Sequence, residues 1–305
     1  MAKLLALKID VDTYRGTLEG VPRLVDVLRR NRAGATFLFS LGPDHTGRAI
    51  KRAFRPGFMK KVSRTSVVAH YGFKTLMYGT LLPGPDIGRR CGDILRGVHE
   101  AGFETGIHCW DHVKWQDNVE KADATWTGEQ MQLAVDRYAE VFGTPAKVHG
   151  AAGWQMNAQA MRLTQRLGFA HASDGRGTHP FMPVQNGEIV LCPQLPTTLP
   201  TLDELIGVDG TTADNVHEKL LALTATPPAH GSHVYTLHAE LEGMKLLPVF
   251  ERLLTAWREQ GYELVALRDL AATLDLPSLP RHEVLRGEIP GRSGTLMLQG
   301  PEFLA

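Results

Sequence analysis

Residues 1–13 read MAKLLALKIDVDT. Leu4 to Ile9 form a short apolar run with the length and bounds of a buried strand. Two carboxylates, Asp10 and Asp12, come directly at its end, where a charge is costly unless it is paired or bound to a cation. If these two residues stood alone, turn capping by Asp12 and bonds from Asp10 to the backbone would be the better explanation. The stretch therefore predicts a buried opening strand with a candidate polar site at its carboxyl end.

Strand-like and helical patterns alternate along the rest of the chain. This β/α order predicts one α/β domain over residues 1–305, built on a mostly parallel sheet or barrel. The predicted strands are Leu4–Ile9, Ala35–Phe39, Phe103–His108, Lys147–Gly150, Phe169–Ala172, Glu188–Leu191, His233–His238 and Tyr262–Ala266. The predicted helices are Val21–Arg30, Ile87–Glu100, Thr127–Phe142, Asn157–Leu167, Ala213–Leu223 and Lys245–Gln260. Thr127 is the expected N-cap of its helix because Gln130 follows as in a capping box.

The composition narrows the classes of function. Lys+Arg and Asp+Glu both number 33, so the formal net charge of +0 gives no sign of a nucleic-acid partner. The 3 cysteines lie far apart without a CxxC pair, which argues against a thiolate zinc site and favours a reducing compartment. Lys8 and Asp10 interrupt the first apolar run too early for a signal peptide, and no stretch is apolar over the ~20 residues of a membrane span.

A pair of histidines follows another predicted strand, in the stretch HCWDH at residues 108–112. Two histidines four apart can converge on one ion where a strand passes into a helical turn. Imidazole and carboxylate suit zinc and related divalent metals, and three protein ligands leave a position for water or substrate. Among 13 histidines this spacing also arises by chance, so its weight comes from Asp10 and Asp12. Together they predict a metal-dependent hydrolase with its ion between Asp12, His108 and His112.

Three more polar elements follow later predicted strands. His238 is a candidate general acid because imidazole titrates near neutrality, although a lone histidine at such a position is usually a satisfied buried residue. The small residues between His149 and Trp154 would let backbone N–H groups approach a substrate closely. Asp174 follows the strand Phe169–Ala172. By themselves, these last two elements are as readily explained as ordinary turns.

The order of these elements resembles that of the polysaccharide deacetylase (NodB-homology) superfamily. Within it, the sequence looks like the bacterial deformylases that act on undecaprenyl phosphate carrying 4-deoxy-4-formamido-L-arabinose. The resemblance covers nearly the whole chain and implies a distorted (β/α)7 barrel. It rests on KIDVDT at 8–13, EGVPRL at 19–24, SLGPD at 40–44, WDH at 110–112, AAGW at 151–154, PTTLP at 196–200 and YTLHAE at 235–240.

The resemblance also implies a role for each candidate residue. It makes Asp12, His108 and His112 the metal ligands, Asp10 the base, His238 the acid, Asp174 the residue that orients His238, and a backbone N–H near Ala152 an oxyanion donor. The sequence departs from the superfamily at two places. Val11 separates two aspartates that are usually adjacent, so the roles of Asp10 and Asp12 can be exchanged. His149 stands where an arginine commonly supports the base.

The implied activity is metal-dependent hydrolysis of the formamide, which releases formate and leaves an amino sugar for lipid A modification and resistance to cationic peptides. Zinc is the expected ion, and cobalt, manganese or nickel would suit the same ligands. The expected location is peripheral, at the cytoplasmic face of the bacterial inner membrane. Three alternatives remain at this stage: an N-deacetylase of another sugar, a hydrolase of cyclic amides, and a membrane-docked binding protein without catalysis.

A basic and apolar segment over residues 45–85 supports a lipid substrate. It contains no acidic residue. Aromatic and aliphatic residues alternate there with cations, as in segments that lie on anionic membranes. We therefore expect a membrane-associating insertion, although an insertion that packs on the barrel with a solvated basic face is the simpler explanation of the same pattern. Its cations are Arg48, Lys51, Arg52, Arg55, Lys60, Lys61, Arg64 and Lys74.

Overall fold

The main sheet is parallel and seven-stranded, in a computed structural model that describes residues 3–49, 73–228, 231–292 and 294–304. Its strands run in the order β5-β4-β3-β2-β1-β8, and β9 pairs with the first half of β1. This arrangement is the α/β class that the sequence predicts. The strands are β1 (Lys3–Val11), β2 (Thr36–Ser40), β3 (Glu104–Cys109), β4 (Val148–His149), β5 (His171–Ala172), β8 (Ser232–His238) and β9 (Tyr262–Val265).

An irregular segment, residues 194–199, lies between the two ends of the sheet and joins them. Leu195 N–H donates to the carbonyl of Ala172 in β5, and Thr198 N–H donates to the carbonyl of Val234 in β8. Pro196 lies in this segment and has no N–H to give to a ladder, so a regular strand cannot form there. The sheet is therefore a distorted barrel rather than a regular one.

The helices cover the outer face of the sheet. They are α1 (Val21–Arg30), α2 (Ile87–Arg90), α3 (Gly92–Glu100), α4 (His112–Asn118), α5 (Ala124–Phe142), α6 (Ala158–Arg166), α7 (Leu202–Leu205), α8 (Val216–Thr224), α9 (Leu247–Glu259) and α10 (Leu267–Ala271). The prediction that Thr127 caps α5 is wrong, because Asp123 accepts from Trp126 N–H and starts the helix earlier. The single helix predicted over 87–100 is interrupted at Cys91, which is not helical.

A second sheet in the described part of the chain has four strands in the order β11-β10-β6-β7. These are β6 (Met182–Gln185), β7 (Glu188–Ile189), β10 (Arg281–Gly287) and β11 (Leu296–Glu302). The strand predicted over 188–191 does not join the parallel sheet, because its first two residues pair antiparallel with β6 across the turn at Asn186-Gly187. The hairpin of β10 and β11 was not predicted, since most of its residues are half-buried or exposed and show no clear alternation.

The two faces of β1 contribute to two separate apolar clusters of the core. Leu5, Leu7 and Ile9 belong to the larger apolar cluster that includes the buried faces of the helices. Ala6 belongs to a smaller cluster with Leu38 of β2 and Val234 of β8. Because side chains alternate along a strand, the residues that follow Ala6 on the same face are Lys8 and Asp10. The polar site therefore continues directly from the second apolar cluster.

Candidate active site

Asp12, His108 and His112 come together at the carboxyl end of the parallel sheet. Nε2 of His108 lies 3.2 Å from Oδ1 of Asp12, and Nε2 of His112 lies 3.4 Å from Oδ2 of Asp12. One ligand atom of each residue falls within 4.8 Å of the others. Asp12 follows β1, His108 is in β3, and His112 begins α4, so the strand-to-helix passage brings both histidines to the carboxylate of Asp12.

The donor set fits a divalent ion. Oδ1 of Asp12 is buried and has no hydrogen-bond partner among the described residues, as expected of an oxygen reserved for a cation. Nδ1 of His108 lies 2.6 Å from the carbonyl oxygen of Gly150, and a neutral ring that donates there presents Nε2 as a lone pair. Two imidazoles and one carboxylate are ligands that zinc and its neighbours accept while leaving an open position.

The electrostatics of the cluster favour an ionised carboxylate. Burial alone would raise the pKa of Asp12, but His112, His108 and His238 together hold it well below its ordinary value. Burial would likewise lower the pKa of His108, yet the charges of Asp10 and Asp12 raise it. A cation bound between these residues would likewise offset the buried negative charge of the carboxylates.

Asp10 lies beside the cluster and not within it. Its Oδ1 is 3.6 Å from Nδ1 of His108, and its Oδ2 forms an ion pair with Nζ of Lys8 at 3.2 Å. Both partners of that pair are buried. Oδ1 has no hydrogen-bond partner among the described residues, so one carboxylate oxygen is held and the other is available.

His238 lies next to Asp10 because β8 pairs with β1. The two residues are directly in register, and the N–H of Ala239 donates to the carbonyl of Asp10 at 3.0 Å. The backbone N–H of His238 donates to Oε2 of Glu242 at 2.9 Å. This register places a carboxylate and an imidazole at the same level of the sheet, which is the arrangement that an acid and a base acting on one substrate require.

Asp174 and His149 have other partners in the structure than the resemblance implies. Oδ1 of Asp174 accepts from the backbone N–H of Ala151 at 2.9 Å and lies 2.6 Å from Nδ1 of His149. Nδ1 of His238 has no hydrogen-bond partner among the described residues, so Asp174 does not orient His238. His149 likewise contacts Asp174, whereas the carboxylate of Asp10 is paired with Lys8. The physical reason is topological: β5 pairs with β4, which carries His149, whereas β8 pairs with β1, and the segment 194–199 lies between β5 and β8.

Ala152, whose backbone N–H is the expected oxyanion donor, lies in the loop after β4. Ala152 begins a single 3-10 turn, Ala152–Trp154, and the first N–H groups of such a turn have no partner within it. Gly153 has φ 62°, and a side chain there would collide with Gln116, so the loop requires glycine at this position. Asp174 anchors the start of this loop through Ala151.

Glu240 is a supporting residue that the sequence reasoning missed. Its Oε1 accepts from Thr13 N–H at 2.7 Å, from the Thr13 hydroxyl at 2.8 Å and from Asp12 N–H at 3.1 Å. These bonds fix the backbone that carries Asp12. Gly16 lies so close to this carboxylate that any side chain would overlap it. The signal in the sequence was weak, because Glu240 stands in a loop and its partners are 227 and 228 residues away.

The chain is similar in sequence to two proteins named as probable deformylases. No family model matches the chain. It is 37% identical over 295 residues to a protein of Shewanella sediminis (strain HAW-EB3) named as a probable 4-deoxy-4-formamido-L-arabinose-phosphoundecaprenol deformylase, covering 97% of this chain and 94% of the relative. A protein of Wigglesworthia glossinidia brevipalpis with the same name is 31% identical over 285 residues, covering 93% of this chain and 98% of the relative.

Solved structures show the same fold at low sequence identity. One assigned as a polysaccharide deacetylase, from Mycobacterium smegmatis, matches with a TM-score of 0.64 and 17% identity, covering 95% of this chain and 96% of that one. The PuuE allantoinase matches with a TM-score of 0.62 and 14% identity, covering 89% of this chain and 90% of that one. At these identities the likeness extends to the barrel architecture alone.

Proposed function

The chain belongs to the family of the 4-deoxy-4-formamido-L-arabinose-phosphoundecaprenol deformylases, and from this membership we propose that it hydrolyses the formamide of that lipid-linked sugar. The observation that carries the proposal is 37% identity to such a deformylase over 97% of the chain. The products would be formate and an amino sugar still attached to undecaprenyl phosphate. The new ammonium group would serve lipid A modification, in which added positive charge weakens the binding of cationic antimicrobial peptides.

We assign the ion site to Asp12, His108 and His112, with zinc as the ion that suits them best and cobalt, manganese or nickel as substitutes. A divalent ion bound there would acidify a water molecule and polarise the amide carbonyl. The remaining chemistry rests on side chains of the protein. Oδ1 of Asp10, which has no hydrogen-bond partner in the described part of the chain, takes a proton as water attacks the carbonyl carbon.

His238 completes the reaction from the neighbouring strand, β8. An amide nitrogen is a poor leaving group until it is protonated, so an acid must donate before the C–N bond breaks. His238 is in register with Asp10, and its imidazole ring can carry and donate a proton, which suits it to that step. The N–H of Ala152 supplies a hydrogen bond to the oxyanion that develops on the carbonyl oxygen.

We also propose that the protein lies on the membrane through the segment 45–85. No helix in the described ranges is both long and apolar enough to cross a membrane. At the described margin of the segment, Phe73 is 71% exposed and Leu81 is 81% exposed, with Lys74 between them in sequence. Exposed apolar side chains beside cations are typical of an interfacial contact with anionic lipid. The cations Lys60, Lys61 and Arg64 lie outside the described residues.

The membrane proposal is tested with the described pair of apolar residues. Compared with wild type, the double variant Phe73→Ser and Leu81→Ser should bind less to vesicles of anionic phospholipid. It should also cleave the lipid-linked sugar more slowly, whereas its rate on a water-soluble formamido sugar should be that of wild type. Leu223, 52% exposed on α8, provides the control substitution Leu223→Ser, which should leave binding unchanged. Unaltered vesicle binding by the double variant would assign the segment to packing on the barrel instead.

The substrate proposal is tested by supplying matched lipid-linked sugars that carry a formamido or an acetamido group. Purified protein reconstituted with zinc should release formate from the first and much less acetate from the second, as measured by mass spectrometry. Preferential release of acetate would make the chain an N-deacetylase acting through the same residues. Turnover of neither, with turnover of a cyclic amide, would overturn the proposal.

A further inference from the structure

Lys8 is a fully buried cation in the middle of β1, and its charge is directed at the candidate base. Its Nζ lies 3.2 Å from Oδ2 of Asp10. We propose that Lys8 is the positioning residue of the reaction: it holds Oδ2 of Asp10 so that Oδ1 faces the attacking water. The inference rests on the proposed function of Asp10 and extends it to a residue for which the resemblance implies no role.

The pair follows from the alternation of β1. Residues two apart on a strand lie on the same face, so Lys8 and Asp10 both point into the barrel without any help from a loop. The carboxylate of Asp10 therefore has a cationic partner without the arginine that commonly supports the base in the superfamily. His149, the residue at the position of that arginine, is already engaged with Asp174.

The barrel has space shaped for the lysine side chain. A Cβ added at Gly150 would overlap a methyl group of Leu38 at 2.3 Å and would press on Cε of Lys8 at 3.0 Å, so the glycine lets both side chains pack against this backbone. Nζ lies 5.3 Å from the centroid of the Trp154 ring, which is a favourable neighbour for a cation removed from water. A buried lysine is retained only where it is paired, and the described partner here is Asp10.

The two oxygens of Asp10 are thereby made unequal. Oδ2 accepts from the ammonium, while Oδ1 is buried without a hydrogen-bond partner among the described residues. A general base must present one oxygen in a fixed direction, and a carboxylate free to rotate about its last torsion would spend much of its time misdirected. An ion pair on one oxygen removes that freedom.

A purely structural lysine would give a different result in a double-mutant cycle. We compare wild type, Lys8→Met, Asp10→Asn and the double variant, using whichever amide the wild-type protein hydrolyses, so that failure of the formamide assignment is seen separately. Lys8→Met should lower kcat by roughly 10- to 100-fold, as for other second-layer partners of a catalytic group, with KM and bound zinc unchanged. In the Asp10→Asn background, the same substitution should lower kcat no further.

The double variant also keeps the experiment decisive if Lys8→Met fails to fold, because it leaves no unpaired buried charge. Its kcat should then equal that of Asp10→Asn alone. Lys3→Met is the matched control. Lys3 lies on the same strand, and the one described hydrogen bond of its ammonium goes to the carbonyl of Gln260. A further loss of kcat in the double variant, or loss of zinc from Lys8→Met, would overturn the inference.

Discussion

Glu242, which contacts the candidate acid His238, gives a quantitative prediction for the pH dependence of the free energy of unfolding. It is fully buried beside His238, where its Oε1 accepts from the hydroxyl of Tyr235 at 3.1 Å and its Oε2 accepts from the His238 N–H. Burial raises the pKa of Glu242 from 4.5 to about 7, although the charge and the N–H of His238 oppose the rise. The folded protein therefore holds a proton that the unfolded chain releases more readily.

The sign and size of the effect on stability follow from this difference. Below pH 4.5 both states are protonated and the full stability is present; as the pH rises through 7, the unfolded state loses its proton first and folding becomes less favourable. At 1.36 kcal/mol for each unit of pKa, the loss approaches ~3 kcal/mol above pH 7, most of it between pH 5 and pH 8. Glu242→Gln cannot ionise and should escape this loss.

The assay is urea unfolding of metal-free protein at pH 5 and pH 8, for wild type and Glu242→Gln. Subtracting the two pH dependences cancels the titration of groups remote from Glu242, and the remaining difference should be roughly 2–3 kcal/mol in favour of the variant at pH 8. Glu259→Gln, at an exposed position of α9, is the matched control and should follow wild type. Parallel pH dependence of wild type and Glu242→Gln would refute the reasoning.

Three further predictions concern the site directly. His108→Ala and His112→Ala should each lose zinc and activity, since each removes one of the three proposed ligands, and full occupancy by metal analysis in either variant would exclude that residue as a ligand. Asp10→Asn should keep zinc and lose turnover by roughly 100-fold or more, whereas Asp12→Asn should lose zinc; the opposite pattern would exchange their roles. Asp174→Asn should destabilise the protein by roughly 1–3 kcal/mol with zinc retained, because a buried charged acceptor is lost. Unchanged unfolding with an altered basic limb of the pH profile would instead favour a role on His238.

The sequence predicted those parts of the molecule that depend on local pattern. The strands β1, β2, β3 and β8 are strong apolar runs, and the polar residues at their ends meet because parallel strands end on one side of the sheet. The cluster of Asp12, His108 and His112 follows from that rule with little added information. Its geometry is set by the ends of two strands and the first turn of one helix.

The contacts that were not predicted depend on which strands are neighbours. The identity of the partner of Asp174 could not be read from one sequence, because it requires knowing that β5 pairs with β4 and not with β8. Glu240 reaches Thr13 across 227 residues for the same reason. Lys8 differs from these residues because the sequence alone places it on the same face of the strand as Asp10. From the sequence, however, Lys8 is interpreted only as an interruption of an apolar run.

The central claim is that a divalent ion held by Asp12, His108 and His112 enables hydrolysis of the lipid-linked formamide. The most direct measurement is formate release from that substrate by metal-free protein titrated with zinc, alongside His112→Ala treated in the same way. The account predicts that formate appears with wild type, that the rate saturates at one zinc per chain, and that the variant releases none. Formate release by metal-free wild type, or equal release by His112→Ala, would contradict it.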